Sequence, residues 1–191
     1  MAVMDADLSG ADGILAMLSD RPDIMDRLAD VAALDLPDCW IGAGFVRSPV
    51  WDRLHGYTTP TAVPDIDVIY FDPDDSDPRA EAVLEGRLSA MSPGRPWSVR
   101  NQARMHLRNG DDPYTGSCDA VGKWVETATA VAARIGTNGA PELLAPHGVA
   151  DLLGLVVRPT PHYRRRMSVF EQRVAAKNWT AVWPRLRILH G

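Results

Sequence analysis

The chain has 191 residues, 46% of them hydrophobic and 24% charged, a balance that supports a globular fold with a sizeable core. Its net charge of −5 argues against broad, non-specific nucleic-acid binding, which needs a basic footprint. Cys39 and Cys118 lie too far apart for a zinc spacing, and with no secretory leader or long apolar span a reduced, cytoplasmic protein with no membrane partner is expected.

Ser9 stands where an N-cap would, before a first helix through Leu18. Pro22 suits the first position of a second helix to about Leu34, in which Ile24, Met25, Leu28 and Val31 recur at helical spacing. Pro37-Asp38 then breaks the chain. A short apolar strand, Cys39-Trp40-Ile41, feeds Gly42-Ala43-Gly44, and residues 45–54 read as a helix closed by Gly56. A Thr/Pro-rich loop over 58–64 leads to a strand at 65–71. An acidic turn over 72–78 precedes a helix at 79–91.

Ser92-Pro93-Gly94 turns the chain into 97–106, a strand at first and a helical turn later. Another helix starts within 118–124, and 130–135 fits either a strand or a helix. A short strand at 143–145 and a short helix at 148–155 follow. Beyond Pro159 and Pro161 come a helix over 169–179 and an apolar segment at 186–189. Strands alternate with helices in the centre, and helices occupy both ends. That pattern predicts an α/β fold class with a sheet core and helical additions. One domain is expected, with N-terminal helices over 1–36, a core over about 37–160 and a helical C-terminal part over 161–191.

Asp65 and Asp67 carry the chemistry. Two residues apart on a strand, they project from the same face, while Ile66 points the other way. Carboxylates this close repel unless a cation sits between them. Mg²⁺ prefers such oxygens and is often held by one or two carboxylates plus substrate phosphates. Asp65 alone is equally a turn residue bonding its own backbone. Asp67, followed by Val68-Ile69-Tyr70-Phe71, is not accounted for in that way.

Gly42 and Gly44 let the backbone approach a ligand, and the helix that follows offers N–H groups to an anion. Arg47 in its first turn can add a charged fork to a phosphate. A Gly-x-Gly by itself also describes a tight strand-to-helix turn with nothing bound.

The order strand, Gly-rich turn, helix, loop and Asp-x-Asp strand is the signature of the nucleotidyltransferase superfold. The segments GAGFVRSPVWDRLHG, DIDVIYFD, WSVRNQARMH, APHGVADLLGLVVRPTP and RVAAKNWTAVWPRL make the likeness specific. Through them the chain resembles a bacterial family of uncharacterised nucleotidyltransferase-like proteins, within the superfold that includes DNA polymerase β. The resemblance implies a small mixed sheet flanked by helices. It implies phosphates of a nucleoside triphosphate at Gly42, Ala43 and Gly44, and Mg²⁺ (or Mn²⁺) on Asp65 and Asp67. An NMP unit then passes to an acceptor hydroxyl of unknown identity. Active members usually add a third carboxylate from a neighbouring strand. Residues 97–102 hold none, which leaves Asp72, Asp119 and Glu142 unranked. A non-catalytic nucleotide-binding or regulatory module of the same fold is the alternative.

The remaining polar groups divide less sharply. Asn101 and Gln102 can read a base or a phosphate, or form a buried network, and His106 can act as a base. Arg158 to Thr160 can contact a ligand, whereas His147 and Asp151 favour capping and packing. Trp179 and Trp183, with Lys177, read as a packing seam. The run Arg164 to Arg166 is a solvated helix start or a contact for phosphate or RNA. Nucleic acid stays the less favoured partner.

Overall fold

The computed structural model describes residues 8–75 and 77–190; the first seven residues of the expected N-terminal helical part lie outside it. In chain order the elements are α1 (Gly10–Ser19), α2 (Pro22–Ala32), β1 (Trp40–Gly42), α3 (Gly44–His55), β2 (Ile66–Tyr70) and α4 (Pro78–Met91). Then come β3 (Trp97–Asn101), α5 (Gln102–Asn109), α6 (Ser117–Gly122), β4 (Ala132–Ile135), β5 (Pro141–Leu144) and α7 (Ala150–Leu153). The chain closes with β6 (Val156–Val157), a 3₁₀ turn over Tyr163–Arg165, α8 (Met167–Lys177), α9 (Trp179–Val182) and β7 (Arg187–Ile188).

The principal sheet has five strands in the order β3-β2-β1-β4-β5. It is mixed: β2 and β3 run parallel, and the other neighbours are antiparallel. A parallel pair needs a long crossover, and α4 supplies it. The α/β class and the mixed sheet flanked by helices are as expected. Residues 130–135, open between helix and strand, contain β4, because Ala132 and Ala133 are wholly buried between β1 and β5. The apolar end at 186–189 also has a partner. There β7 pairs in parallel with β6, and Leu189 N–H donates to Val157 O at 2.9 Å.

Sequence chemistry explains the helices that frame the site. Pro22 begins α2, and Ile24, Leu28 and Val31 face the core. Ser9 precedes α1 in extended backbone without a side-chain cap bond, whereas Asp77 caps α4 by accepting from Arg79 N–H at 2.9 Å. The third helix is buried on nearly every side, from Phe45 to Asp52, and so shows no single apolar stripe. It ends at Gly56 in the left-handed region, φ 72°.

Buried carboxylates staple this frame. Asp52 on α3 accepts from Thr61 N–H (2.8 Å), Thr61 Oγ1 (2.6 Å) and Trp183 Nε1 (2.8 Å). One side chain thus joins α3, the loop before β2 and the C-terminal part. Glu81 on α4 accepts from Asn101 N–H (2.9 Å) and from Arg104 Nε and Nη2 (2.9 and 2.7 Å), locking the crossover to the β3–α5 junction. Among the described residues no helix is long and apolar enough to cross a membrane.

Candidate functional site

The site lies where β1 ends and β2 begins. Ile41 pairs with Val68, so the antiparallel register brings Gly42 beside Asp67. The Gly turn and the Asp pair therefore meet at one end of the sheet. A Cβ on Gly42 would fall 2.5 Å from Trp124 Cη2, so the glycine is demanded by the ring pressed against it. Ala43 turns the chain with φ 50° and ψ −113°, a conformation that costs a non-glycine residue on the order of 1–3 kcal/mol. Its N–H donates to Val131 O at 2.8 Å, which anchors the strained turn to the chain entering β4.

Asp65, just before β2, is exposed, and Asp67 is half-buried. Both line a cavity of about 170 Å³, together with Ala43, Gly44, Arg173 and Lys177. A second cavity, of about 320 Å³, shares Ala43, Asp67 and Arg173 and extends past Gln102 and Trp124. Burial, and then the Asp65 carboxylate, push the Asp67 pKa above the ordinary range; Lys177, Arg173 and Arg47 pull it back. Arg173 and Lys177 stand four residues apart and so share a face of α8. Sequence reading placed the helix but assigned Lys177 to packing; the i, i+4 pair of cations was the missed signal.

Arg47, expected to offer a fork to a phosphate, does line the smaller cavity with the Asp pair, but from a largely buried position. It is only 8% exposed and sits among three indoles, its guanidinium carbon 5.1 Å from the ring centroids of Trp51 and Trp179 and 6.0 Å from Trp183. Nη2 contacts Ser48 Oγ at 3.4 Å, and Nε is buried without a partner among the described residues. Burial lowers its pKa to about 10, against the attraction of Glu126, Asp67 and Asp65. The C-terminal tryptophans, expected as a seam, do pack edge-on against Trp51, at 5.9 and 5.1 Å. In doing so they close a cage that only the tertiary fold creates.

The polar segment after β3 splits. Asn101 is wholly buried: Oδ1 accepts from Asp72 N–H (3.1 Å) and Ala103 N–H (3.0 Å), and Nδ2 donates to Asp72 O (2.7 Å) and Asp75 O (2.6 Å). Its amide has nothing left for a ligand, so the nucleotide contact expected of Asn101 is corrected to a structural network. Asn101→Ala is expected to cost about 2–3 kcal/mol in urea unfolding, through the buried groups it strands. Gln102 does line the larger cavity, with Nε2 donating to Arg100 O at 3.2 Å. His106 lines neither cavity; its ring meets Tyr114 edge-on at 6.1 Å.

Among the described residues no third acid joins the pair in lining either cavity. On the neighbouring strand it is Ser98, not an acid, that pairs with Asp67. Asp72 caps a turn through Asp74 N–H at 3.0 Å, Asp119 pairs with Lys123 at 3.2 Å, and Glu142 pairs with Arg134 at 2.7 Å. None of these lines either cavity. Among the described residues no three His, Cys, Asp or Glu side chains gather closely enough to hold a metal ion. Arg158, a possible ligand contact, is instead paired with Asp151 at 3.0 Å, and Arg166 with Asp111 at 3.0 Å. The acid tied to the site is Glu126, wholly buried, which accepts from Arg173 Nε at 2.9 Å. Its signal in the sequence was an acid inside the run VETATAVAA, where a charge must find a partner.

With this geometry in hand, the comparison with known families is decisive. The profile of a nucleotidyltransferase family matches residues 29–188. The chain belongs to that nucleotidyltransferase family. A protein whose NMR structure reveals a CCA-adding enzyme head domain is 34% identical, with a TM-score of 0.87, over 97% of this chain and 99% of that one. A CCA-adding enzyme in complex with CTP shares the fold at 15% identity and a TM-score of 0.54, over 95% of this chain and 44% of that one. The Thermotoga maritima CCA-adding enzyme complexed with tRNA does so at 16% identity and 0.51, over 95% and 43%. This chain thus spans less than half the length of the latter two. No match is found among curated proteins. Family membership makes the transfer of a nucleotidyl group this protein's class of chemistry, with a nucleotide as substrate.

Proposed function

We propose that the protein transfers NMP from an NTP to an acceptor hydroxyl, with Asp65 and Asp67 holding Mg²⁺ or Mn²⁺. The observation that carries this reading is the Asp67 carboxylate, half-buried beside Asp65 at the start of α3. Such a pair is costly unless a cation is shared, and two carboxylates plus substrate phosphates are a normal set for Mg²⁺. Bound there, the ion supplies charge neutralisation at the phosphates and a more acidic attacking hydroxyl.

The chain's own groups do the positioning. The first turn of α3, bordering the cavity at Ala43 and Gly44, offers N–H groups to a phosphate. Arg173 and Lys177 face the Asp pair and neutralise the charge that gathers on the departing pyrophosphate. Trp124 and Gln102 offer a stacking surface and an amide to the nucleoside in the larger cavity. The acceptor oxygen attacks the α-phosphorus, and the bond to the β-phosphate oxygen breaks. The hydroxyl proton passes to solvent water on the exposed Asp65 side.

Arg100, Arg108 and Lys123 also line the larger cavity, a basic wall offset in part by Glu85 against Arg100 (2.7 Å) and Asp119 against Lys123 (3.2 Å). That wall favours an anionic acceptor. The CTP and tRNA seen with the CCA-adding enzymes make CTP, ATP and RNA 3′ ends the first pairs to assay. A cytoplasmic setting, where NTPs are abundant, belongs to the same reading.

The test is pyrophosphate release from labelled NTPs across a panel of RNA and small phosphorylated acceptors, with Mg²⁺ and after chelation. Turnover indifferent to the chelator would sink the metal assignment. Lys177→Ala is expected to raise KM for the NTP about tenfold with a smaller change in kcat, as befits a ground-state phosphate contact. The missing third carboxylate favours one other reading, a nucleotide-binding module without turnover. Calorimetric NTP binding with no pyrophosphate release from any acceptor would select it.

A further inference from the structure

Glu126 takes no part in the reaction just described, yet it is the most deeply buried acid beside it. It lies in the irregular stretch between α6 and β4 and exposes none of its surface. Both carboxylate oxygens are committed: Oε1 accepts from Arg173 Nε at 2.9 Å and Oε2 from Thr129 Oγ1 at 2.7 Å. Glu126 is also the strongest of the anions acting on the caged Arg47. Two buried or half-buried guanidinium groups thus lean on one buried carboxylate.

The alternative partner for those cations is Asp67. Arg173 lines both cavities that Asp67 lines, and its charge already acts on that carboxylate. A guanidinium without a prior commitment pairs readily with a carboxylate, through parallel N–H···O bonds. A carboxylate forked in this way has few lone pairs left for a metal.

We propose that Glu126 is a positioning residue that reserves the aspartate pair for a divalent cation, by holding Arg173 Nε and so keeping its guanidinium off Asp67. This inference rests on the metal reading of Asp65 and Asp67. The local charges then follow a division of labour. Glu126 answers the two arginines, and the aspartates stay free for an exchangeable cation.

The experiment is Mn²⁺ titration of the whole chain by calorimetry, without nucleotide, with folding checked by melting curves. Glu126→Gln is expected to bind Mn²⁺ about tenfold more weakly than wild type, the size of effect that a close charge at a half-buried site exerts. Glu126→Gln/Arg173→Met is expected to regain wild-type affinity, because the guanidinium that Glu126 held is gone and Arg47 stays in its cage of indoles. A purely structural role predicts no such rescue. Equal affinity in wild type and Glu126→Gln overturns the proposal, as does equal weakening in the single and double variants. The double variant removes both members of the pair, a change that proteins tolerate better than a buried carboxylate's partner left alone. If Glu126→Gln does not fold, the double variant carries the test, and Mn²⁺ binding weaker than wild type overturns the idea. Asp67→Asn separates the two claims. If it binds Mn²⁺ as wild type does, the metal reading itself has failed.

Discussion

Asp67→Asn is expected to cut nucleotidyl transfer on the order of 10³-fold and to raise the melting temperature at neutral pH. The first effect follows from the proposed metal role of the pair: one of two carboxylates is lost, where a bound ion would contribute several kcal/mol to the transition state. The second follows from the sign of the pKa shift. Burial and the Asp65 charge lift the Asp67 pKa in the folded state. The folded state then holds its proton more tightly than the unfolded chain does. Stability from this group is therefore fully present below the ordinary Asp value and is lost as pH rises through the higher folded value. At pH 7 the ionised group is a burden, and asparagine removes it. The check is urea unfolding of both proteins across pH 3–8, alongside the transfer assay. The advantage of the variant must grow with pH in the acidic half of that range. A variant less stable than wild type at pH 7 would contradict the account, and so would one that keeps its activity.

Asp52→Ala is expected to destabilise the fold by about 3 kcal/mol or more, because hydrogen bonds to a buried charge are worth roughly 1.5–3 kcal/mol each. Three donors lose their acceptor at once: Thr61 N–H, Thr61 Oγ1 and Trp183 Nε1. The damage should reach the site as well. Thr61, Ala62 and Val63 form one wall of the smaller cavity, and Trp183 closes the cage around Arg47. Transfer activity should fall even under conditions where the variant remains folded. Asp52→Asn keeps one acceptor oxygen and should lose about half as much stability. Similar losses for the two variants in denaturant titrations would show that these bonds are not what the carboxylate contributes.

Local signals made much of the fold legible in advance. Pro22, Gly56 and the Asp77-Pro78 pair punctuate helices whose ends fall close to where they were expected. Capping and backbone stereochemistry act within a few residues, so a sequence states them openly. The Gly turn and the Asp-x-Asp strand were legible for the same reason, and the fold places them side by side. Residues whose role depends on distant partners were misjudged. Asn101 looked like a ligand group because its four hydrogen-bond partners sit in a turn far upstream and in its own helix cap. Arg47 does line the smaller cavity, but its burial was not legible, because two of the three indoles around it arrive more than 100 residues later in the chain.

By itself, the sequence determined the order of strands and helices as far as the β3–α5 junction, the turn that opens α3 and the two carboxylates at the start of β2. These rest on alternation, spacing and glycine, all properties of short stretches of chain. Tertiary structure alone decided which charges face that pair and which are withdrawn from it. It brought Arg173 and Lys177 on α8 to the aspartates, sank Arg47 into tryptophan and set Glu126 against Arg173. Charge pairing in a low-dielectric interior depends on distance in space, and the chain does not encode that distance locally.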